Sequence, residues 1–156
     1  MTSRIAVLAG LGAALLLAAD PPGFVHWRAA ELKGLEQKLV GKLDPKLKAA
    51  SEPLGKFPNH SLALAHREAS GEAELHETQA DVFIVESGEA NLVVGGQVAG
   101  ARTTAPGELR GSSIEGGREM KLAAGDVVHI PAKVPHQLLV EAGKQFTYFV
   151  VKVDTP

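Results

Sequence analysis

Beyond Pro53 the chain never keeps one hydrophobic character for long, and this limits its folds more than any other feature. Short runs in which apolar and polar residues alternate are cut by Gly, Pro and small polar residues. The runs are Ser61 to Arg67, Ala73 to His76, Asp81 to Ser87, Ala90 to Gly95, Glu119 to Leu122, Asp126 to Pro131, His136 to Val140 and Phe146 to Val153. A period of two is the signature of strands with one buried face, and brief strands joined by Gly-containing turns build an antiparallel sandwich or barrel. A parallel nucleotide-binding sheet needs crossover helices of ten or more residues, and these turns are too short to hold them. The stretch Gly100 to Gly117 breaks the rhythm and reads as a long loop or irregular hairpin. Within it Arg102, Glu108 and Arg110 could meet a substrate at the barrel mouth, although a solvated surface is the plainer expectation.

Two segments precede the strands. Arg4 and an apolar run from Ile5 to Ala19 end at Asp20, Pro21, Pro22 and Gly23. About 15 apolar residues suit a secretory signal and fall short of the roughly 20 that span a bilayer. Residues 1–19 are therefore expected to be a signal peptide, cleaved near Ala19, giving a secreted or periplasmic protein without stable membrane insertion. The competing expectation is a retained anchoring helix. Residues 20–56 are expected to form a helical arm, because Leu32, Leu35, Leu39 and Leu43 recur at helical spacing between Val25 and Lys48. His26 and Trp27 are placed to anchor it. Residues 57–156 then form one β domain.

Composition removes several classes of function. Lys and Arg total 16 against 18 Asp and Glu, a formal net charge of -2, so no broad basic field exists to hold a nucleic acid. One Trp, one Tyr and five Phe offer few stacking platforms. With no Cys, thiol catalysis, disulfides and thiolate metal sites are excluded.

The chemistry-bearing residues lie in two stretches, Gly71, Glu74, His76, Asp81, Gly88 and Gly125, Asp126, Pro131, Pro135, His136. Glu74 and His76 are two apart, so on one strand they point the same way. If those faces line a barrel, Glu74, His76, Asp81 and His136 converge and offer two imidazoles and two carboxylates. Such a nitrogen and oxygen set suits divalent Mn, Fe, Zn or Ni. The competing reading is a metal-free polar barrel with His76 bonded to Glu74 or Asp81. His66, in the same alternating set as Leu62 and Leu64, is a candidate base facing the cavity, or a core histidine bonded to a carbonyl. Glu74 is the other candidate proton carrier if it is not bound to metal. His129 alternates away from Val128 and Ile130, toward solvent or a partner sheet, and His60 sits in a turn.

The chain resembles a small single-domain cupin over roughly Leu62 through Val151. Gly125, five residues, Pro131 and then His136 follow the second cupin motif, and Asp81, six residues and Gly88 follow the end of the first. On that resemblance His76 matches the second His of the first motif and His136 the distal His. Glu74 stands where the family usually has its first His, and Asp81 where it usually has Glu. Glu68 holds the slot of the opening Gly, Lys133 replaces a small Gly, and Val140 replaces a common Asn. The resemblance implies an all-β jelly-roll barrel, a divalent metal ion, a small-molecule substrate or ligand and a homodimer. It leaves open an enzyme, a binding or sensing barrel lined by Phe83, Val85, Leu138 and Val140, and a vestigial pocket.

Overall fold

In the computed structural model, which describes residues 19–156, one helix precedes twelve strands. Helix α1 (Ala29–Val40) is shorter than the leucine spacing suggests. Glu31 accepts the Arg28 amide at 2.8 Å and so fixes the first turn, while the Lys42 amide bonds the Leu39 carbonyl at 2.9 Å past the last one. Leu39 is the residue that α1 buries fully, and the Glu36 carboxylate accepts the Ser87 hydroxyl, which ties the helix to the sheet. Among the described residues no helix is long and apolar enough to cross a membrane. The expected signal segment lies outside the described residues except for Ala19.

The strands are β1 (Ala49–Lys56), β2 (His60–Arg67), β3 (Ala73–His76), β4 (Gln79–Val94), β5 (Gln97–Ala99), β6 (Arg102–Ala105), β7 (Glu108–Gly111), β8 (Ser113–Glu115), β9 (Arg118–Ala123), β10 (Val127–Ile130), β11 (His136–Leu139) and β12 (Phe146–Asp154). Every pairing is antiparallel. One face of the barrel runs β1-β2-β12-β4-β10, and the other runs β9-β4-β11-β3-β7-β6, with β5 and β8 as a separate ribbon. Strand β4 belongs to both faces. Its first half pairs with β12 and β10, and its second half with β11 and β9. This is the jelly-roll arrangement that the alternating runs and the motif resemblance imply.

Two expected strands, Asp81 to Ser87 and Ala90 to Gly95, are thus one strand bent at Gly88. That residue has φ 77°, and a Cβ there would collide with the Gln145 carbonyl oxygen. Both the left-handed backbone and the close approach require glycine. Gly88→Ala is expected to destabilise the domain by about 3 kcal/mol or more, combining backbone strain with displacement of the β12 entry. Urea unfolding of the two proteins side by side measures this.

One expectation is corrected. The last eight residues of the expected arm are not helical: Ala49–Lys56 pairs with β2 as an edge strand. The alternation there is weak because Pro53 and Gly55 straddle a register shift. Of the two readings of Gly100 to Gly117, the irregular hairpin is the one the structure has: β6 pairs with β7 across a register shift at Thr103 and Ala105, and β8 follows. The small and charged residues of this stretch conceal strands of three or four residues that gain their stability from β3 and β5.

The core between the faces contains Ala65, Phe83, Val85, Ala90, Leu92, Leu122, Ile130, Leu138, Val140, Phe146 and Tyr148. Phe83, Val85, Leu138 and Val140, expected to line a binding barrel, are each 2–6% exposed and packed in this core. The base of the barrel is therefore filled, which leaves polar chemistry to its other end.

Candidate metal centre

The site is assembled from cross-strand pairs, whose side chains share one face of a sheet. In register, Glu74 on β3 faces His136 on β11 and Arg110 on β7, His76 faces Glu108 on β7, and Asp81 on β4 faces Lys152 on β12. The first five residues project from one face of the barrel and the last two from the other, so the side chains meet between the sheets.

Glu74, His76 and His136 each present a donor atom within 4.8 Å of the others, an arrangement able to hold a metal ion. His76 Nε2 is 3.4 Å from Glu74 Oε2, and His136 Nε2 is 3.9 Å from the same oxygen. Both imidazoles are oriented from behind. Glu108 Oε2 lies 2.7 Å from His76 Nδ1, and the Val134 carbonyl lies 3.2 Å from His136 Nδ1. A proton on Nδ1 in each ring leaves the Nε2 lone pair aimed into the site, the tautomer that metal-binding histidines take. His136 Nε2 is buried and has no hydrogen-bond partner. An orphaned imidazole nitrogen facing a second imidazole and a carboxylate is the donor set that a divalent cation satisfies, so these residues fit such an ion.

Asp81, expected as the fourth ligand, is only 2% exposed and stands 3.4 Å from both His76 Nε2 and His136 Nε2. Its carboxylate is already occupied. Lys152 Nζ lies 2.9 Å from Oδ1 and 3.1 Å from Oδ2, and also 2.9 Å from His76 Nε2. The ammonium therefore stands over the electron pair that His76 would offer a metal. Of the four ligands expected from the sequence, Glu74, His76 and His136 form a group able to hold an ion, while Asp81 is paired with an internal cation, Lys152.

Charge follows this geometry. Burial raises the Glu74 carboxyl, but the His76 hydrogen bond and the Arg110, His136 and Lys152 charges outweigh it and bring it down to about 2. Burial also opposes ionisation of Asp81, yet the imidazoles of His136 and His76, each 3.4 Å from its carboxylate, and the charge of Lys152 hold it well below the usual carboxylate range. Burial lowers the His76 imidazole, whereas hydrogen bonds to Asp81 and Glu74 raise it, with a net rise to about 9. Protonated His76 donates Nε2–H to these carboxylates and Lys152 keeps only Asp81. Neutral His76 instead accepts from Lys152.

A folded-state value of about 9 against 6.5 contributes stability that is fully present below pH 6.5 and lost as pH rises through 9. Melts of metal-free protein are expected to show a lower Tm at pH 9.5 than at pH 6, with the difference reduced in His76→Gln.

Of the two readings of His66, a base facing the cavity and a core histidine, the structure has the second, with the ring on the opposite side of β2. Its neighbour Ala65 pairs with Tyr148 in the core, so His66 turns with Thr147, whose hydroxyl is 2.7 Å from Nδ1. Reading Leu62 and Leu64 as the inward set reversed the strand, because α1 gives β2 a second buried face. His66 is fully buried and stands outside the Glu74, His76, His136 group. Glu74, expected as a proton carrier, is held ionised across the neutral range, which suits a cation ligand better than a group that exchanges protons near neutrality. His129 is exposed, on the side its alternation indicates.

Lys152, Glu108 and Arg110 complete the site. Lys152 was legible as a lone charge in the alternating set Tyr148, Val150, Lys152, and Glu108 and Arg110 only as charges in the irregular stretch. Arg110 bridges Glu108 at 3.2 Å and Glu74 at 3.6 Å, while Arg102 pairs with Glu72 at the surface.

Solved structures share this architecture. The chain is similar to TT1209 from Thermus thermophilus, with a TM-score of 0.54 and 20% identity over 77% of this chain and 94% of that one. It is also similar to a conserved protein with a double-stranded β-helix domain from Klebsiella pneumoniae, with a TM-score of 0.53 and 15% identity over 74% and 86% of the two chains. KdgF from a Halomonas species gives a TM-score of 0.53 and 13% identity over 72% and 84%. No protein-family model and no curated protein sequence matches the chain. The chain has a double-stranded β-helix fold.

Proposed function

We propose that this chain is a small exported metalloenzyme that acts on a modest organic substrate through a divalent ion held by Glu74, His76 and His136. The observation that carries this reading is the buried, unpartnered Nε2 of His136, aimed at Glu74 and His76. The ion, when bound, polarises a substrate oxygen or activates water. The protein's own groups do the rest: Glu108 fixes the His76 tautomer, Arg110 holds Glu74 and Glu108 in place, and Lys152 neutralises Asp81. Because Lys152 covers His76, its ammonium would have to withdraw before that nitrogen could serve as a ligand. Mn, Fe, Zn and Ni all suit the set.

The cavity beside these residues has about 440 Å³ and is lined by Glu74, Arg110, Tyr148 and Lys152 among others, a size that fits a small molecule. This favours an enzyme over a sensing barrel, since the apolar residues that would grip a ligand are packed together. Export rests on the apolar run 5–19, and a homodimer on the edge that β1 presents.

Calorimetric titration of chelator-stripped protein with Zn, Mn and Ni tests the reading. One ion per chain with micromolar or tighter affinity is expected for at least one metal, and the absence of saturable binding by all of them contradicts it.

A further inference from the structure

We infer that Arg67 is a carboxylate-binding residue, placed to hold the acid group of a small monoanionic substrate beside the metal centre. This inference rests on the proposed function above for the neighbouring chemistry, but not for the binding itself.

Arg67 ends β2 and shares the inward face with Ala65, Phe146 and Tyr148, as the register of β2 with β12 requires. Its guanidinium lies against Gly71, where a Cβ would come within 2.9 Å of Nη1 and 3.0 Å of Cζ. The backbone there is held from the other side: the Gly71 amide donates to the Leu138 carbonyl at 2.9 Å, and Gln137 Nε2 donates to the Gly71 carbonyl at 2.9 Å. A glycine on a pinned backbone thus leaves space that the arginine head fills. The buried Tyr148 hydroxyl has the Arg67 guanidinium as its neighbouring cation.

The other cations of this region are matched. Lys152 has Asp81, Arg110 has Glu108 and Glu74, and Arg102 has Glu72. Among the described residues no carboxylate comes within 4.0 Å of the Arg67 guanidinium. Arg67 lines the 440 Å³ cavity together with Glu74, Arg110 and Lys152. It also lines a smaller one of about 20 Å³ shared with Glu74, His136 and Tyr148. A half-buried guanidinium without a counter-ion, opening onto the metal-type cluster, calls for an anion. The planar fork matches the two oxygens of a carboxylate, and a single unmatched charge suits a monoanion better than a phosphate.

The test uses the full chain, metal-free and zinc-loaded in parallel, titrated with propionate, propionamide and inorganic phosphate while the backbone amide NMR signal of Gly71, which lies against the position 67 side chain, is followed. Expected are saturable binding of propionate in both forms, at least tenfold weaker binding of propionamide, tenfold loss in Arg67→Gln and partial recovery in Arg67→Lys. Zinc affinity is expected to be unchanged in Arg67→Gln. Equal binding of propionate and propionamide, propionate binding untouched by Arg67→Gln, or tighter binding of phosphate overturns the assignment. If zinc fails to bind while propionate still requires Arg67, the metal reading fails and this one stands.

Discussion

Protein carrying His76→Ala together with His136→Ala is expected to leave purification with only a small fraction of the divalent metal bound by the parent. Its affinity in titration should fall by roughly hundredfold or more. Loss of a partner that merely orients a metal ligand already costs about 10–100-fold, and here two of the three donors are removed. Each substitution also deletes an imidazole whose Nε2 stands within 3.9 Å of the Glu74 carboxylate, leaving that group and Asp81 facing the site alone. Elemental analysis of parent and variant, with near-ultraviolet circular dichroism to confirm that the core around Tyr148 is intact, measures the effect. Equal metal content in a folded variant contradicts the assignment.

Removing the internal cation should act in the opposite direction. Lys152→Met keeps the length of the side chain, abolishes the ammonium that touches His76 Nε2 and frees both Asp81 oxygens. A unit charge about 4 Å from a divalent ion costs several kcal/mol even at an effective dielectric near 20, and Asp81 becomes available as a further ligand. Affinity for zinc is expected to rise by about tenfold or more. The metal-free variant should also melt at a lower temperature, because Asp81 is buried without its partner, and zinc should restore more of that loss than it adds to the parent. Unchanged or weaker zinc binding would show that Lys152 does not compete with the ion.

These two results probe parts of the site that differed in legibility. Glu74, His76 and His136 were readable because strand alternation and motif spacing both place them inward, and the fold carries that alternation faithfully. Asp81 was placed correctly in space, but its role depends on Lys152, some 71 positions away, and only the β4–β12 register brings the two together. His66 could not be oriented from β2 alone, since the strand is covered by the core on one face and approached by α1 on the other. Edge strand β1 was hidden by Pro53 and Gly55, and β6, β7 and β8 by their brevity. For the same reason Glu108, which orients His76, was visible only as one charge in an irregular segment. What the sequence left open was long-range pairing, which no local period encodes.

The central claim is that a divalent ion sits among Glu74, His76 and His136. An anomalous difference map from crystals of protein purified without chelator, collected on either side of the absorption edge of the metal found by elemental analysis, tests it most directly. The account predicts one strong peak contacted by His76 Nε2, His136 Nε2 and a Glu74 oxygen, with the Lys152 ammonium moved off His76. A map with no peak there and Lys152 still bonded to His76 and Asp81 would contradict it.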